Sequence, residues 1–540
     1  MRPLRRITCL LDGRVVGFDL RDGDDDGHGL AAGNTTEGHR FLSDGPFTVT
    51  GCADWQARLR EAHVVVDAAE RRARIEAGLA ALAARAGVSV VPDAGLLDEV
   101  AGLVEWPVAM LGRIDPAYMD LPAEVMQVSM RVNQRYFALR DAEGRAAPYF
   151  AFVANVPGSD GGAAIIAGNE RVLRARFSDA RHFWDQDRKV TLESRVAALD
   201  GVTFHAKLGS QGQRAGRIIS LARYLAEPAG ADIELAGRAA KLAKADLTTG
   251  MVGEFPEVQG VMGGYYARHD GEPAEVAEAV AQHYQPKGPN DAVPIGPVAV
   301  SVALADKIDQ LVAFFAVGEK PTGSGDPYAL RRAALGVIRI IRERRLRLSL
   351  GKALNRAAQL QAEYEPADEV LDFILDRLRV QLRAEGARYD VLNAVLGAGQ
   401  DDDLVRLLAR TDAVTALLGS EDGANLLAAY KRAANILRIE DKKDGPHDGA
   451  VDATLLEQAE ETALAAALAT VEPNVTAALE SEQFTNAMSA LATLRAPLDA
   501  FFEQVTVNAE RPELRRNRLA LLHHIRAAMN LAADFSRIEG

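Results

Sequence analysis

Three residues far apart in the chain carry side chains that could share a metal ion: His205, Asp246 and Asp306. Imidazole and carboxylate groups bind divalent ions, and an ion held in this way can activate a water molecule for hydrolysis. Asp246 stands near the end of an apolar helical pattern, and Asp306 lies inside a second one, 303–312. The chemistry that this set would support is metal-dependent hydrolysis.

A His, a dipeptide ending in Asp and a later helical Asp, in this order, resemble the metal framework of the HD superfamily of phosphohydrolases. The dipeptide here is Ala245-Asp246, and alanine cannot bind a metal. We therefore expect a degenerate motif that binds no metal, in which Asp246 caps a helix or forms an ion pair. His283 is expected to be a helix-end residue. A degenerate metal-dependent phosphohydrolase remains an alternative function.

Glycine-rich segments of the chain are the next candidates, because such segments can bind phosphate. The glycines at 260, 263 and 264 lack the spacing and the preceding strand of a dinucleotide loop, and no G-x-x-x-x-G-K-[ST] loop occurs. Residues 322–325, Thr-Gly-Ser-Gly, could offer backbone donors to an anion in front of a helix. The competing interpretation makes Asp326 the N-cap and Pro327 the first helical residue. No H-I-G-H element for nucleotidyl transfer is present.

The C-terminal third favours RNA binding instead, because Arg, Lys and Asn recur at helical spacing. Arginine and asparagine contact base edges and phosphates, and exposed aromatic rings stack on bases. The competing interpretation buries Phe501 and Phe502 in the core and leaves the arginines on a solvated face. A second basic surface is expected over 329–347. The predicted RNA-binding residues are Lys431, Arg432, Asn435, Arg438, Arg495, Asn508, Arg515, Arg516, Asn517 and Arg518.

The spacing of apolar residues predicts the helices and strands that would position these side chains. Residues 67–87 predict a helix stopped by Gly87, whereas 89–93 and 148–155 predict strands. From about residue 165 the pattern is almost wholly helical, and Leu330 to Ile341 form one apolar face. The highly charged run 440–449 is expected to be an exposed loop. The fold class is therefore mostly α and multidomain, with an α/β N-terminal part.

Composition is that of an ordinary globular protein: 540 residues, 48% hydrophobic and 26% charged. The net charge of −14 argues against coating nucleic acid through bulk charge, but allows a local basic face. Two cysteines, Cys9 and Cys52, cannot form a disulfide framework. We find no signal peptide and no apolar stretch of membrane-spanning length, so we expect a cytoplasmic protein without a membrane partner.

Longer matches then indicate a family. The chain resembles the beta subunit of bacterial heterotetrameric glycyl-tRNA synthetase over essentially its whole length. The end of the chain looks like the anticodon-binding helical domain shared with arginyl-tRNA synthetase. The matching stretches are 2–7, 33–42, 106–115, 121–137, 168–187, 205–210, 244–267, 305–341 and, for the anticodon-binding domain, 507–522.

The resemblance implies a domain order: an α/β N-terminal domain over 1–165 and an HD-like helical domain over 166–345. A helical connecting region over 346–425 and the anticodon-binding helical domain over 426–540 follow. It also implies that the residues named above grip tRNA(Gly) and that this chain contributes no catalytic residue. Glycine, ATP and Mg²⁺ are expected on a separate alpha subunit, which makes the adenylate in an alpha2-beta2 enzyme. A stand-alone tRNA-binding protein is the other alternative.

One departure concerns the N-terminal end. Family members carry a longer N-terminal region, and this sequence starts partway into it, near "RPLRRI". We therefore expect the N-terminal domain to be incomplete relative to the family.

Overall fold

The computed structural model describes residues 4–21, 25–361, 367–399 and 401–539. The strands are β1 Ile7–Thr8, β2 Leu10–Leu11, β3 Arg14–Val15, β4 Ala32–Gly33, β5 Thr35–Glu37, β6 Pro46–Thr48, β7 Ser89–Val90, β8 Val108–Arg113, β9 Phe137–Arg140, β10 Ala146–Ala154, β11 Thr203–His205 and β12 Gly209–Ser210. They are few and short, and β1 to β10 all precede residue 155, as the sequence predicted.

Helices make up most of the remaining chain, which confirms the mostly α fold class. They are α1 Cys52–Glu61, α2 Ala68–Arg85, α3 Ala94–Leu103, α4 Ala123–Val128, α5 Ala163–Asp187, α6 Leu192–Arg195, α7 Gln211–Ala229, α8 Ile233–Leu242, α9 Gly250–Glu254, α10 Val261–His269, α11 Ala274–Gln282, α12 Pro297–Ala316, α13 Leu330–Arg344, α14 Leu350–Ala358, α15 Ala367–Ala384, α16 Tyr389–Gly397, α17 Leu404–Leu418, α18 Glu421–Asp444, α19 Ala459–Glu480, α20 Phe484–Ala492, α21 Arg495–Gln504 and α22 Pro512–Asn530.

The chain divides into two compact units. The first contains 1–191 and 246–262, and the second contains 192–245 and 263–540. Asp246 thus belongs to the first unit, whereas His205 and Asp306 belong to the second. The finer division into segments at 165, 345 and 425 stays a prediction.

The core of the first unit lies on an antiparallel sheet of order β7-β9-β10-β8. Helices α2 and α3 contribute buried Ile75, Leu79, Leu96 and Val100 to the same cluster as Phe137 of β9. Asp67 caps α2, and Gly87 adopts a φ of +71° just beyond its end, which confirms the predicted helix and its stop.

The second unit is a stack of helices in which α12 is buried along almost its whole length. Helix α12 packs against α7, α8, α11, α13 and α14. The predicted apolar face of α13 is confirmed, because Leu330, Val337, Ile338 and Ile341 are all buried. Since a helix that is buried on all its faces needs neighbours on every side, α12 is the central element of this unit.

Helix α19 departs from the expectation that no segment is long and apolar enough to cross a membrane. Among the described residues it is the one helix that passes that test by length and composition, and 22% of its apolar window is buried. It packs against α20, α21 and α22 and carries the buried Glu461 near its start. This packing is that of a helix in a bundle.

Candidate nucleic-acid interface

Helix α18 carries four of the predicted RNA-binding residues. Ser420 caps it by accepting a hydrogen bond from the Gly423 N–H. From 423 to 439 the sequence contains no Asp or Glu, while it contains Lys431, Arg432 and Arg438. Because the stretch itself contains no carboxylate, the middle of α18 carries an excess of positive charge.

The side chains on this face are accessible. Arg432, Asn435 and Arg438 are exposed and Lys431 is half-buried. A guanidinium nitrogen of Arg438 donates to Asn435 Oδ1 at 2.7 Å, which leaves the Asn435 amide nitrogen free to donate elsewhere. Within the described parts of the chain, none of the three cations on this face forms a salt bridge. The structure therefore brings these four predicted residues together on one open surface.

Phe502 of α21 joins the same surface. The guanidinium carbon of Arg432 lies 4.3 Å from the centroid of the Phe502 ring. Phe502 is half-buried, whereas its neighbour Phe501 is fully buried in the core. The sequence interpretation that placed both rings in the core holds for Phe501 only.

Three other predicted residues are engaged within the protein. Arg495 forms ion pairs with Asp422 and, at 3.5 Å, with Asp499. Arg515 contacts Glu440 and reaches Asp444 at 2.5 Å, and Asn508 accepts a hydrogen bond from it at 3.3 Å. Hydrogen bonds from Lys443 and Arg515 lower the pKa of Glu440 to about 2. These arginines tie α18 to α21 and α22.

The "RRNR" run of α22 splits between surface and core. Arg516 is exposed and forms no ion pair within the described residues. Asn517 is buried and exchanges two hydrogen bonds with the Asp452 backbone, accepting at 2.7 Å and donating at 3.0 Å. Arg518 is buried, pairs with Glu461 and donates to the Thr506 carbonyl at 2.9 Å. Asn517 and Arg518 are both buried and bonded within the protein, so we assign them a structural role.

Cations surround Asp306, one of the positions matched to the HD metal framework. Arg214 Nη2 donates to Asp306 Oδ1 at 2.9 Å, and Lys244 Nζ lies 2.8 Å from the same oxygen. Burial by itself would raise the pKa of Asp306, but Arg214 and Lys244 outweigh it and hold the pKa below its usual range. Two protein cations therefore take the role of counter-ion that a metal has in a working site.

The other two positions also have structural partners. His205, in β11, shares a hydrogen bond of 3.2 Å with the Tyr328 hydroxyl and packs edge-on against that ring. Asp246 accepts the Gly260 N–H at 2.5 Å, where Gly260 has a φ of +82°. Asp246 thus stabilises a bend that glycine can adopt, just before the start of α10. No group of three or more His, Cys, Asp or Glu that could hold a metal occurs in the described ranges.

His283 lies at the residue after α11, where the sequence placed it. It is buried, and its Nδ1 is 2.7 Å from the Val280 carbonyl oxygen. Burial lowers the pKa of His283 well below its usual value, so the ring is neutral at pH 7.

The loop before α13 is built differently from both sequence interpretations. The carbonyl oxygens of Gly323 and Gly325 accept hydrogen bonds from Arg331 at 2.7 and 3.2 Å, so the loop presents acceptors to a cation. Asp326 accepts the Leu330 and Arg331 N–H groups at 2.8 and 3.0 Å. The Asp326 carboxylate therefore binds N–H groups at the start of α13. The helix begins at Leu330, however, so Pro327 is not its first residue. Ala329, with a φ of +56°, interrupts the helical path.

Most arginines of the second basic surface, 329–347, are also occupied. Arg342 forms a bidentate pair with Glu385 at 2.9 and 3.0 Å. Arg347 binds Asp403 and Glu482, each at 2.6 Å. Arg331, Arg339 and Arg344 donate to backbone carbonyls. Arg332 and Arg345 are the exposed arginines of this stretch that the described structure leaves without a partner.

Comparison with known proteins matches two successive segments of the chain. A family model described as "Glycyl-tRNA synthetase beta subunit" matches residues 1–397, and one described as "DALR anticodon binding domain" matches 426–538. The glycine--tRNA ligase beta subunit of Rhodospirillum centenum is 54% identical over 565 residues, covering 100% of this chain and 79% of that protein. That of Phenylobacterium zucineum is 54% identical over 545 residues, with 100% and 78% covered.

Together the helical fold, the open basic face of α18 and these matches define a chain of the aminoacyl-tRNA synthetase class. The chain belongs to the glycyl-tRNA synthetase beta subunit family. The resemblance read from the sequence motifs is thereby confirmed.

Sequence reasoning missed two sets of residues in these sites. Lys244 and Arg214 were not considered as partners of Asp306, although Lys244 stands next to the alanine that signals loss of the metal. Phe502 was not singled out as exposed, because two adjacent phenylalanines give no signal of which one is buried. Helical periodicity places them about 100° apart, so one of them had to lie off the buried face.

Proposed function

We propose that this chain is the RNA-binding beta subunit of a glycine--tRNA ligase. In the proposed reaction, ATP, glycine and tRNA(Gly) give glycyl-tRNA, AMP and diphosphate. The observation that carries the proposal is the match of two successive family models over 1–397 and 426–538, in the order of the relatives that bear this name. We place the enzyme in the cytoplasm, where tRNA is charged.

The proposal places glycine, ATP and Mg²⁺ on a separate alpha subunit within an alpha2-beta2 assembly. Support comes from the sequence, which contains neither an H-I-G-H element nor a G-x-x-x-x-G-K-[ST] loop. The beta-subunit name of the relatives itself refers to a second kind of chain. The part assigned to this chain is to hold the tRNA while bond formation takes place on its partner.

The surface assigned to tRNA consists of Lys431, Arg432, Asn435 and Arg438 on α18, together with Arg516 on α22. These residues are supported by exposure and by the lack of carboxylate partners among the described residues. A cation that is already neutralised gains less from a phosphate than a free one, because its existing ion pair must first be broken. Arg495, Asn508 and Arg515 are therefore assigned to holding the helices that present this surface.

Glycylation of tRNA tests the proposal directly. The chain, the alpha subunit of the same organism, and an equimolar mixture are each given ATP, radioactive glycine and a tRNA(Gly) transcript. The mixture is expected to form glycyl-tRNA, and each subunit alone is not. Charging by this chain alone would contradict the division of labour. Binding of tRNA without charging by the mixture would favour a stand-alone tRNA-binding protein.

The phosphohydrolase alternative is not favoured by any observation at Asp306. Its carboxylate oxygen is shared by Arg214 and Lys244, and Ala245 supplies no ligand. A divalent ion would have to displace two buried cations, whose desolvation is already offset by Asp306 and Asp309. Stoichiometric divalent metal with nucleotide hydrolysis in the purified chain would reverse this conclusion.

A further inference from the structure

The contact between Arg432 and Phe502 differs from the other arginine contacts of the C-terminal helices. The guanidinium carbon lies 4.3 Å from the ring centroid, the distance of a cation stacked on an aromatic face. Phe502 is half-buried between α18 and α21, so the ring is held in place, while Arg432 above it is exposed. The ring therefore fixes the position of a cation whose outer side is open to solvent.

This cation is also unusual in its electrostatics. Arg495, at the start of the same helix as Phe502, is neutralised by Asp422 and Asp499. Arg515 is neutralised by Glu440 and Asp444. Arg432 forms no ion pair in the described parts of the chain, and its side chain lies against the Phe502 ring. An arginine kept free of carboxylates and supported on a ring is prepared for a ligand from outside.

The chemistry of that ligand follows from the shape of the group. A guanidinium is a planar, delocalised cation, and its flat face stacks on planar π systems. Nucleobases that are not base-paired offer such a face, and proteins stack them on aromatic rings and on arginine planes. A double-stranded stem offers no free base face. The phosphates flanking such a base can reach the Asn435 amide nitrogen and Arg438, which lie three and six residues further along α18.

We propose that Arg432 and Phe502 form a stacking platform for one unpaired loop base of the tRNA, with the guanidinium between the ring and the base. Arg432 contacts the base, and Phe502 is a positioning residue that acts through Arg432. This inference rests on the proposed function and specifies which feature of the RNA the surface of α18 recognises.

Stacking can be separated from charge by conservative substitutions. Arg432→Lys keeps the positive charge and removes the plane. Phe502→Leu keeps most of the apolar volume and removes the ring, whereas Phe502→Tyr restores the ring. The matched control is Arg383→Lys, because Arg383 is exposed, lies 5.2 Å from the Tyr389 ring centroid, and is far from α18 in sequence.

The measurement is the dissociation constant of a tRNA(Gly) transcript from this chain combined with its alpha subunit, over a series of salt concentrations. Arg432→Lys and Phe502→Leu are each expected to weaken binding by roughly 5- to 100-fold, the effect of losing one stacked base. The salt dependence should stay that of the parent, since no phosphate contact is lost. Phe502→Tyr and Arg383→Lys should bind like the parent. Thermal unfolding midpoints verify that Phe502→Leu is folded.

Transcripts that lack a single base identify the ligand. Each unpaired loop position in turn is made abasic. One of these transcripts is expected to bind the parent more weakly than intact tRNA does. The Arg432→Lys variant should bind that transcript and intact tRNA equally well. Equal losses in parent and variant at every position would overturn the platform, as would parent-like binding by both Arg432→Lys and Phe502→Leu. Absence of tRNA binding by the unsubstituted complex would instead overturn the proposed function, and this inference with it.

Discussion

At the scale of single residues, the role of an arginine in this protein is decided by the carboxylate that faces it. Arg516 and Arg518 are two positions apart in one helix, yet Arg516 is exposed and Arg518 is buried against Glu461. In the sequence the two arginines cannot be distinguished, because both belong to the basic run 515–518. The run predicts that cations are present, but only the packing of α22 on α19 decides which of them is free.

Removing the buried cation should therefore cost stability and leave RNA binding intact. Arg518→Met is expected to lower the free energy of unfolding by about 3–5 kcal/mol, because the Glu461 carboxylate remains buried without its partner. Urea unfolding followed by circular dichroism measures this loss. At a temperature where the variant is folded, its affinity for tRNA should equal that of the parent.

Glu461→Gln provides the control for Arg518→Met. Glutamine can still accept the Gln458 N–H that Glu461 Oε2 accepts at 2.8 Å, but it carries no charge. The double variant should thus regain part of the lost stability, since no uncompensated charge is left in the core. A double variant as unstable as the sum of both single variants would contradict this explanation.

Lys307, which is buried in α12 of the second unit, should make the free energy of unfolding depend on pH, and the sign of this dependence can be predicted. Burial lowers the pKa of Lys307 from 10.5 to about 8, although its Nζ donates to the Tyr284 carbonyl at 3.1 Å. Between these two values the unfolded chain binds the proton and the folded chain does not. The contribution of Lys307 to the free energy of unfolding therefore rises with pH from about 8 to 10.5 and is constant below that window.

Lys307→Met removes this titration while retaining a long unbranched side chain. We expect the difference in stability between parent and variant to shift in favour of the parent as pH rises through this window. Denaturant midpoints recorded at pH 7, 8, 9 and 10 on both proteins isolate the effect, because every other group titrates in both. Parallel pH profiles would show that Lys307 keeps its ordinary pKa in the folded state.

At the scale of elements, the sequence predicted the features that depend on local periodicity. It did not predict the features that depend on contacts between residues far apart in the chain. The apolar face of α13 and the end of α2 at Gly87 follow from local patterns, and both are confirmed. The prediction of an exposed loop over 440–449 was wrong for its first half, because helix α18 continues to Asp444 and Glu440 is buried against Arg515. From Gly445 to Gly449 the chain is a mostly exposed loop, apart from the buried His447, which pairs with Asp441. The pairing of Glu440 with Arg515, 75 residues away, has no local signal.

The sheet of the first unit contains a close contact between two strands, made by residues that are far apart in the chain. Gly112 of β8 lies opposite Phe150 of β10, and a Cβ at position 112 would overlap the end of that ring. Gly112→Ala is therefore expected to destabilise the protein by about 1–3 kcal/mol through overpacking. Differential scanning calorimetry of the purified chain measures the loss.

Two comparisons make this prediction specific. Gly168→Ala in α5 meets no atom within 4 Å and should be neutral or slightly stabilising, as is usual for a helical glycine replaced by alanine. In a Phe150→Leu background, Gly112→Ala should cost less than in the parent, because the shorter side chain leaves room. An equal cost in both backgrounds would show that the ring is not the obstacle.

At the scale of the whole molecule, a net charge of −14 has to be reconciled with the proposed binding of tRNA. Among the described residues many arginines are paired internally, whereas Lys431, Arg432, Arg438 and Arg516, on α18 and α22, form no salt bridge. The salt dependence of binding reflects the number of phosphates that the protein neutralises locally. Carboxylates further away than a Debye length of about 8 Å have little effect on it. The number of free cations is thus the quantity that a salt titration measures.

The combined substitution of Lys431, Arg432, Arg438 and Arg516 by alanine removes the four cations of the proposed surface. Arg432 is assigned to a base, so Lys431, Arg438 and Arg516 are the cations expected to neutralise one phosphate each. At roughly 0.7 per single-strand contact, the slope of log affinity against log salt should become shallower by about 2. The control is Arg511→Ala, because Arg511 is exposed in the same domain but pairs with Glu457 at 2.6 Å and Glu513 at 2.9 Å. Its slope should match that of the parent. An unchanged slope in the fourfold variant would mean that tRNA binds elsewhere, whereas an equal change in Arg511→Ala would mean that internal pairing does not decide which arginines meet the RNA.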